Sequence, residues 1–528
     1  MKKPNIVVFC TDQHPAHWLG CMGNKQIKTP NIDSIAENGV MFRNAHCNTP
    51  MCMSSRATMF TGLPSSEHGV RTNGINLDDR YPVLPQILKN NGYKTFSTGK
   101  LHLTSWEIGD HHAPELEKID PNKFPESKIH WENGSINQIP DGYFGLDWID
   151  IIGQHGWFSH GNHANWLREN HPEEFKKFRE RESSKKSLND YSDRFSTIFS
   201  TIPNELYYNE WIKERTIEKI DCVDDGQPFF AWVSFPDPHW PFGPPAPFND
   251  MYNPEELDKP IAWDDAKSKM PDYYHKSFYD EREIISIDGG DTDKTIEQMM
   301  EIKAIAYGST TALDQSIGGV IEHLKKNGNY DDTIIIFMAD HGEAAGDHRM
   351  FNKGPFHYDS ILKVPFIVSY PKKLKKGMIT EALVSTLDFM PTVLDLAGVE
   401  YPKPEIPDWQ GFFADNFPMY KGKKKLPGNS LVPILTGEKK EIQDWILVED
   451  DDDTRQLCLR TLVTKEYKLT IYMNREVGIL FDKVNDPEER NNVWDDSEYE
   501  QIKAMMMIKM SQALMNNQER LKRRISIA

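Results

Sequence analysis

The sequence predicts an α/β fold: a large central mixed, mostly parallel sheet flanked by helices, with a smaller C-terminal antiparallel sheet subdomain. Three observations carry that expectation. Short runs of β-branched and aromatic residues alternate with helical patterns. One long stretch, about 298–327, repeats its apolar residues at three- and four-residue steps. Beyond a segment rich in Pro, Gly and Lys, the pattern changes to closely spaced short strands.

The first run, NIVVF (5–9), is too short for a signal-peptide core, and Pro4 interrupts the approach, so it reads as a buried strand. KTFST (94–98), FFAWVSF (229–235), TIIIFMA (333–339) and VPFIVSY (364–370) read the same way. In the long helix, Ile302, Ile305, Leu313, Ile317, Val320, Ile321 and Leu324 make the apolar stripe, and Gly328 supplies a stop signal. Such alternation buries a sheet between layers of helices. Residues 104–215 break the pattern, being polar and rich in His, Trp, Asn and Gly, with a charged run KKFRERESSKK (176–186). They read as an insertion of loops over the site that carries specificity, the charged run being a solvated helix face. Of Trp106, Trp131, Trp148, Trp157 and Trp166, most are expected in the core, the rest as stacking groups. A soft boundary at 402–440 precedes WILVED, LCLRTLVTK, YKLTIYM and GILFDK, and a Met-rich helix near 498–524 follows. The expected layout is a main domain over 1–435, containing the 104–215 insertion, and a C-terminal subdomain over 436–528.

The chain has 528 residues, 38% of them hydrophobic, which is ample for a core of this size. Its formal net charge of −19 repels phosphate backbones, so no nucleic-acid partner is expected. No stretch approaches 18 consecutive apolar residues, so no membrane span is expected. Six scattered cysteines without a CxxC pair read as reduced thiols. With no signal peptide visible, the location expected from the numbering is cytoplasmic, or periplasmic or secreted if a signal was removed. Oligomeric state is not legible.

Candidate chemistry sits where strands end. The first strand runs into Thr11-Asp12-Gln13, the strand at 333–339 into Asp340-His341-Gly342-Glu343, and the run at 229–235 into Pro236-Asp237-Pro238-His239. In open α/β sheets ligands bind beyond the carboxyl ends of strands, so these residues are candidates for one site. Asp12 and Asp340, with Gln13 and His341, suit a divalent cation that favours oxygen ligands. Lys100 and His102 in TGKLHL, His239, and Lys353 in NKGPF add ammoniums and imidazoles suited to clamping an oxyanion.

Cys52 lies just past Pro50, and the breaker-free segment 54–60 can form a helix. A thiol near a helix N-terminus, with Arg56 one turn on, would have a lowered pKa. These residues alone leave two readings open, a structural thiol or a nucleophile.

Taken together, these motifs resemble the sulfatase family of the alkaline-phosphatase-like superfamily. Its C/S-x-P/A-x-R signature with a following T-G is matched by Cys52, Arg56, Thr61 and Gly62. The resemblance extends through PNIVVFCTDQ, TGKLHL, PFFAWVSFPDPHWPF, DTIIIFMADHGEAAGDH, NKGPF and LFDKVNDPEERNNV, nearly the whole chain. It implies that a formylglycine-generating maturation enzyme oxidises Cys52 to formylglycine (3-oxoalanine), whose hydrated gem-diol attacks sulfur. It implies a Ca²⁺ ion held by Asp12, Gln13, Asp340 and His341, touching residue 52. Arg56 is implied to support the diol, Lys100, His239 and Lys353 to bind the sulfuryl oxygens, His239 or Lys353 to protonate the leaving group, and His102 to take the proton that releases sulfate. The implied reaction is sulfate ester hydrolysis, with a sulfated carbohydrate favoured over a small choline-type or aryl ester.

Two departures matter. Gln13 replaces the Asp of many members, as in the choline-sulfatase and phosphonate monoester hydrolase branches. The phosphonate enzymes look different at the Lys100-x-His102 loop, where they carry small hydroxyl residues, so the pair favours sulfate ester over phosphonate or phosphate diester. Ser54 stands where the maturation signature has Pro or Ala.

Overall fold

The computed structural model describes residues 2–107, 120–179, 202–264, 295–402, 426–452 and 457–517. Most of the charged run at 180–186, the segment 403–425 of the soft boundary and the end of the C-terminal helix beyond 517 lie outside the described residues.

Nine strands form the central sheet: β1 (Asn5–Thr11), β2 (Gly39–His46), β3 (Lys94–Gly99), β4 (Trp148–Gly153), β5 (His160–Gly161), β6 (Phe229–Phe235), β7 (Thr333–Ala339), β8 (Phe366–Ser369) and β9 (Met378–Ser385). Their order is β5-β4-β3-β6-β1-β7-β8-β2-β9. The five adjacent strands β4, β3, β6, β1 and β7 are parallel, β8 runs against both neighbours, and β2 and β9 return to the common direction. Every residue of β1, β6 and β7 is buried, which explains their unbroken apolar composition. The register is level at one edge, with Thr11 opposite both Phe235 and Ala339, and Gly99 opposite Ser234. The residues that follow these strands therefore emerge side by side.

The long helix spans Ile296–Lys326, opened by a capping box between Thr295 and Gln298. Its Leu313, Ile317, Val320, Ile321 and Leu324 pack with Val7, Phe9, Val233 and Phe337 of the sheet. The helix Cys52–Thr61 lies in the other main hydrophobic cluster, where Met53, Ala57 and Phe60 meet Trp232, Met338 and Phe389.

The segment 104–215 is more than loops. Its run WIDIIG forms β4, a buried strand paired in parallel with β3, and β5 pairs beside it at the sheet edge. Polar flanks hid this strand from composition, although Ile149, Ile151 and Ile152 are buried. Trp106, Trp131 and Trp157 are also buried.

The C-terminal strands β10 (Ile446–Asp452), β11 (Leu457–Val463), β12 (Tyr467–Tyr472) and β13 (Gly478–Asp482) form an antiparallel sheet in sequence order. One face packs Leu447, Leu462, Leu469 and Leu480 against Met506 and Met510 of the helix Glu500–Asn517. The other face, with Val448, Leu459 and Phe481, joins the cluster around the Cys52 helix.

Candidate active site

Along the level sheet edge, each parallel strand delivers one or two functional groups. Asp12 and Gln13 follow β1, Lys100 and His102 follow β3, His155 follows β4, His239 follows β6, and Asp340 and His341 follow β7. Cys52 begins its helix six residues after β2. Gly99, at φ 94°, turns Lys100 inward; a side chain there would collide with the Ser234 carbonyl 1.9 Å from its Cβ. Lys353 closes the circle from the loop after β7. All eleven sequence-predicted and newly found groups named so far, with Arg56, are at most 8% exposed.

The anionic half centres on four groups. Asp12, Cys52, Asp340 and His341 place their ligand atoms within 4.8 Å of one another. Cys52 Sγ lies 3.1 Å from His341 Nε2 and 3.7 Å from Asp12 Oδ1. His341 Nδ1 donates to the Gly342 carbonyl at 3.0 Å, which leaves Nε2 as the ring atom turned toward Cys52. Gln13 joins through its amide: Nε2 donates to Glu343 and to Asn352 Oδ1, which turns Oε1 toward the Lys353 ammonium at 2.6 Å. Two carboxylates, an amide oxygen and an imidazole nitrogen fit a hard divalent cation, the amide oxygen keeping one lone pair beyond its bond to Lys353.

The cationic half faces it. Lys100 Nζ pairs with Asp12 Oδ2. Lys353 Nζ lies 3.0 Å from His239 Nε2, while His239 Nδ1 is held by the Trp240 carbonyl. Arg56 sits beneath, with Nε on Asp340 Oδ2 at 2.8 Å and Nη1 on the Lys100 carbonyl and Ser234 Oγ. Arg56 thus ties Asp340 to the ends of β3 and β6.

Electrostatics follow from this crowding. Burial and Asp12 work to raise the Cys52 thiol, but Lys100, Lys353 and His341 outweigh them and leave it below the ordinary thiol value. Burial, with Lys100 and Arg56, holds His102 well below the usual imidazole range. Burial, with His155 and Lys353, does the same to His239. Both rings are therefore held toward the neutral form.

Gln13 at φ 55° and His102 at φ 58° have left-handed backbones that side chains rarely adopt. Each is pinned by a buried carboxylate. The Gln13 N–H donates to Asp340 Oδ1 at 3.0 Å. Glu126 accepts from three successive N–H groups, those of His102 (2.6 Å), Leu103 (2.9 Å) and Thr104 (3.0 Å). The His102 ring stacks on Trp106 with centroids 3.4 Å apart.

The structure brings together every predicted site residue: Asp12, Gln13, Cys52, Arg56, Lys100, His102, His239, Asp340, His341 and Lys353. Sequence reading missed His155, Glu126 and Asn352, and placed Glu343 only among the strand-end candidates, without a role. The strand-end rule would have found His155 had 148–153 been read as a strand. Glu126 carries no local signal, because its partners are backbone amides 22 to 24 residues away.

The family model described as "Sulfatase" matches residues 4–117 and 149–399, and one described as "N-sulphoglucosamine sulphohydrolase, C-terminal" matches 416–516. An arylsulfatase of Clostridium perfringens is 28% identical, over 94% of this chain and 92% of its own length. An N-acetylglucosamine-6-O-sulfatase of Bacteroides thetaiotaomicron is 26% identical, over 94% and 84%. The crystal structure of a phosphonate monoester hydrolase of Agrobacterium radiobacter superposes with a TM-score of 0.76 at 24% identity, covering 98% of this chain and 96% of that one, a likeness of fold.

Proposed function

This chain belongs to the sulfatase family and is a sulfuric ester hydrolase, and from that premise we propose that it releases sulfate from a sulfated saccharide, with residue 52 as formylglycine and a calcium ion at the strand ends. The observation that carries the reading is the place of Cys52: its Sγ is 3.1 Å from His341 Nε2, between a carboxylate pair and a lysine–histidine clamp. A maturation enzyme must supply the modification. Asp12, Gln13, Asp340 and His341 would hold the ion, which supplies Lewis acidity while the hydrated aldehyde supplies the nucleophilic oxygen.

The chain's own residues supply the rest. Lys100 and Lys353 bind sulfuryl oxygens, their buried ammoniums offsetting the repulsion an anion meets from a protein of charge −19. The Lys353–His239 pair carries a proton at Lys353 Nζ or His239 Nε2 and gives it to the leaving alkoxide. His102, neutral and fixed by Glu126 and Trp106, takes the proton whose departure releases sulfate. Arg56 keeps Asp340 oriented. Burial of the whole set excludes bulk water and strengthens each of these interactions.

The saccharide class is supported by the relative that acts, by its name, on N-acetylglucosamine 6-O-sulfate. A phosphonate or phosphate diester is the second reading, favoured by the superposition on a phosphonate monoester hydrolase. The test is a panel of sulfated mono- and oligosaccharides beside an aryl sulfate and a phenyl phosphonate ester. Release of sulfate from a saccharide at the highest kcat/KM is expected. Preference for the phosphonate overturns the reading. Lys100→Ala and His102→Ala should each lower turnover of the best substrate at least about tenfold, ~1.4 kcal/mol on the barrier.

A further inference from the structure

Asp12 belongs to two constellations at once. Its Oδ1 faces Cys52 Sγ at 3.7 Å and His341 Nε2 at 3.8 Å. Its Oδ2 accepts from His155 Nε2 at 2.7 Å and pairs with the Lys100 ammonium. His155 also lies flat on His239, ring centroids 3.6 Å apart and planes within 2°.

Asp12, His155 and His239 are close enough to hold a metal of their own. Their neighbours speak against it. Lys100 Nζ is 3.2 Å from His155 Nε2 and Lys353 Nζ is 3.0 Å from His239 Nε2, so an ammonium stands at each imidazole. A cation held between these imidazoles would be repelled by both ammoniums. What remains for His155 is a donor's role. A carboxylate can only accept, so Nε2 carries the proton toward Asp12.

We propose that His155 is a positioning residue for Asp12: its Nε2–H holds Oδ2 so that Oδ1 stays turned toward the cation site when Lys100 leaves Asp12 for the sulfuryl group. The inference rests on the reading that Asp12 is a cation ligand. Lys100 cannot serve both Asp12 and an incoming sulfate in full. When it swings to the substrate, Asp12 loses its ion pair and would be free to rotate. His155 prevents this without adding charge, leaving the carboxylate's full negative charge for the cation. Its approach from β4, on the far side of β3, lets it reach Oδ2 without crowding Oδ1.

The test compares the full-length protein with His155→Phe, which keeps the stack on His239 but has no donor, and His155→Gln, whose amide can donate. Calcium affinity is measured by titration calorimetry on chelator-stripped protein, and Tm in chelator reports folding. For His155→Phe a calcium affinity 10- to 100-fold weaker is expected, the usual effect of removing a ligand's hydrogen-bonding partner. For His155→Gln recovery to within about threefold of the parent is expected, with Tm in chelator close to the parent in both. A His155→Phe protein that binds calcium as the parent does overturns the inference and leaves the cation site standing. A parent that binds no divalent cation overturns the cation site itself, and the inference with it.

Discussion

Arg56 Nε donates to Asp340 Oδ2 at 2.8 Å, and solvent reaches neither side chain. The bond ties the helix that begins at Cys52 to the carboxylate at the end of β7. Nη1 spends its donors on the Lys100 carbonyl (3.0 Å) and Ser234 Oγ (2.9 Å), so one guanidinium joins the ends of β3, β6 and β7. Only a planar fork reaches all three at once.

Substituting Arg56 therefore tests structure and site together. Arg56→Ala leaves Asp340 buried without its partner, and a loss of about 3–5 kcal/mol is expected. Arg56→Lys keeps the charge but cannot reach both oxygens beyond Asp340, and a loss of about 1–3 kcal/mol is expected. Urea unfolding measures both. Equal stability of Arg56→Lys and the parent would remove the guanidinium from its structural role.

Glu126 makes a different prediction, because it holds a backbone rather than a side chain. Its Oε1 accepts from the Leu103 and Thr104 N–H groups and from the Tyr143 hydroxyl, and its Oε2 from the His102 N–H. In Glu126→Gln one of these oxygens becomes an amide NH2, which donates and cannot accept. The strained His102 then loses a tether, or its neighbours do. A drop of about tenfold in kcat with KM nearly unchanged is expected, with about 1–3 kcal/mol of stability lost. A change confined to KM would show that the clasp shapes the substrate pocket instead.

These two residues also show what the sequence could and could not disclose. Asp12, Asp340, Lys100 and His239 were legible because parallel strands deliver their groups to one edge, and TIIIFMA or FFAWVSF is unmistakable as a buried strand. The role of Glu126 was not, since three amides in a row become a carboxylate site only after the chain has turned. The antiparallel β8 inside a parallel sheet was equally invisible: VPFIVSY has the composition of its neighbours, and direction depends on the path between them. His155 was lost because the polar stretch around it reads as loops over the site and not as the end of a strand.

The pH response is expected to follow buried imidazoles. His163 is fully buried against Tyr208 and Trp211, with Nε2 donating to the Leu206 carbonyl at 3.0 Å. Burial lowers its pKa to about 4 from the model-peptide value of 6.5. Between those values the unfolded chain binds the proton and the folded protein does not. Stability from this group is thus full above pH 6.5 and lost as pH falls toward about 4. At pH 5 the loss is about 2 kcal/mol. His163→Asn, which cannot take up that proton, should be less stable than the parent at pH 8, with the gap about 2 kcal/mol narrower at pH 5. Urea unfolding of both proteins at both pH values gives the comparison free of other titrating groups, and a gap independent of pH would refute the assignment.

Under the proposed formylglycine mechanism, Ser54 bears on how residue 52 would be converted. It lies in the first turn of the helix Cys52–Thr61, where Ser55 N–H makes the first helical bond, to Met51. The Ser54 hydroxyl is fully buried and has no hydrogen-bond partner among the described residues. Ser54→Ala then removes an unsatisfied polar group, and stability equal to the parent or up to about 1 kcal/mol higher is expected. The folded protein gives no reason to retain a serine. Because the whole helix is buried, an enzyme that oxidises Cys52 must read this stretch before the chain folds, and position 54 is then part of what it reads. Ser54→Ala restores a residue of the maturation signature, so in a host whose maturation enzyme prefers that signature the converted fraction should rise while fold and affinity stay the same. Peptide mass spectrometry across residues 52–56 measures the fraction directly, by the exchange of a thiol for an aldehyde. Cys52→Ala should abolish turnover, by at least about 10³-fold. Specific activity across preparations should scale with the converted fraction, and full activity in protein that retains an unmodified thiol would place the nucleophile on sulfur rather than oxygen.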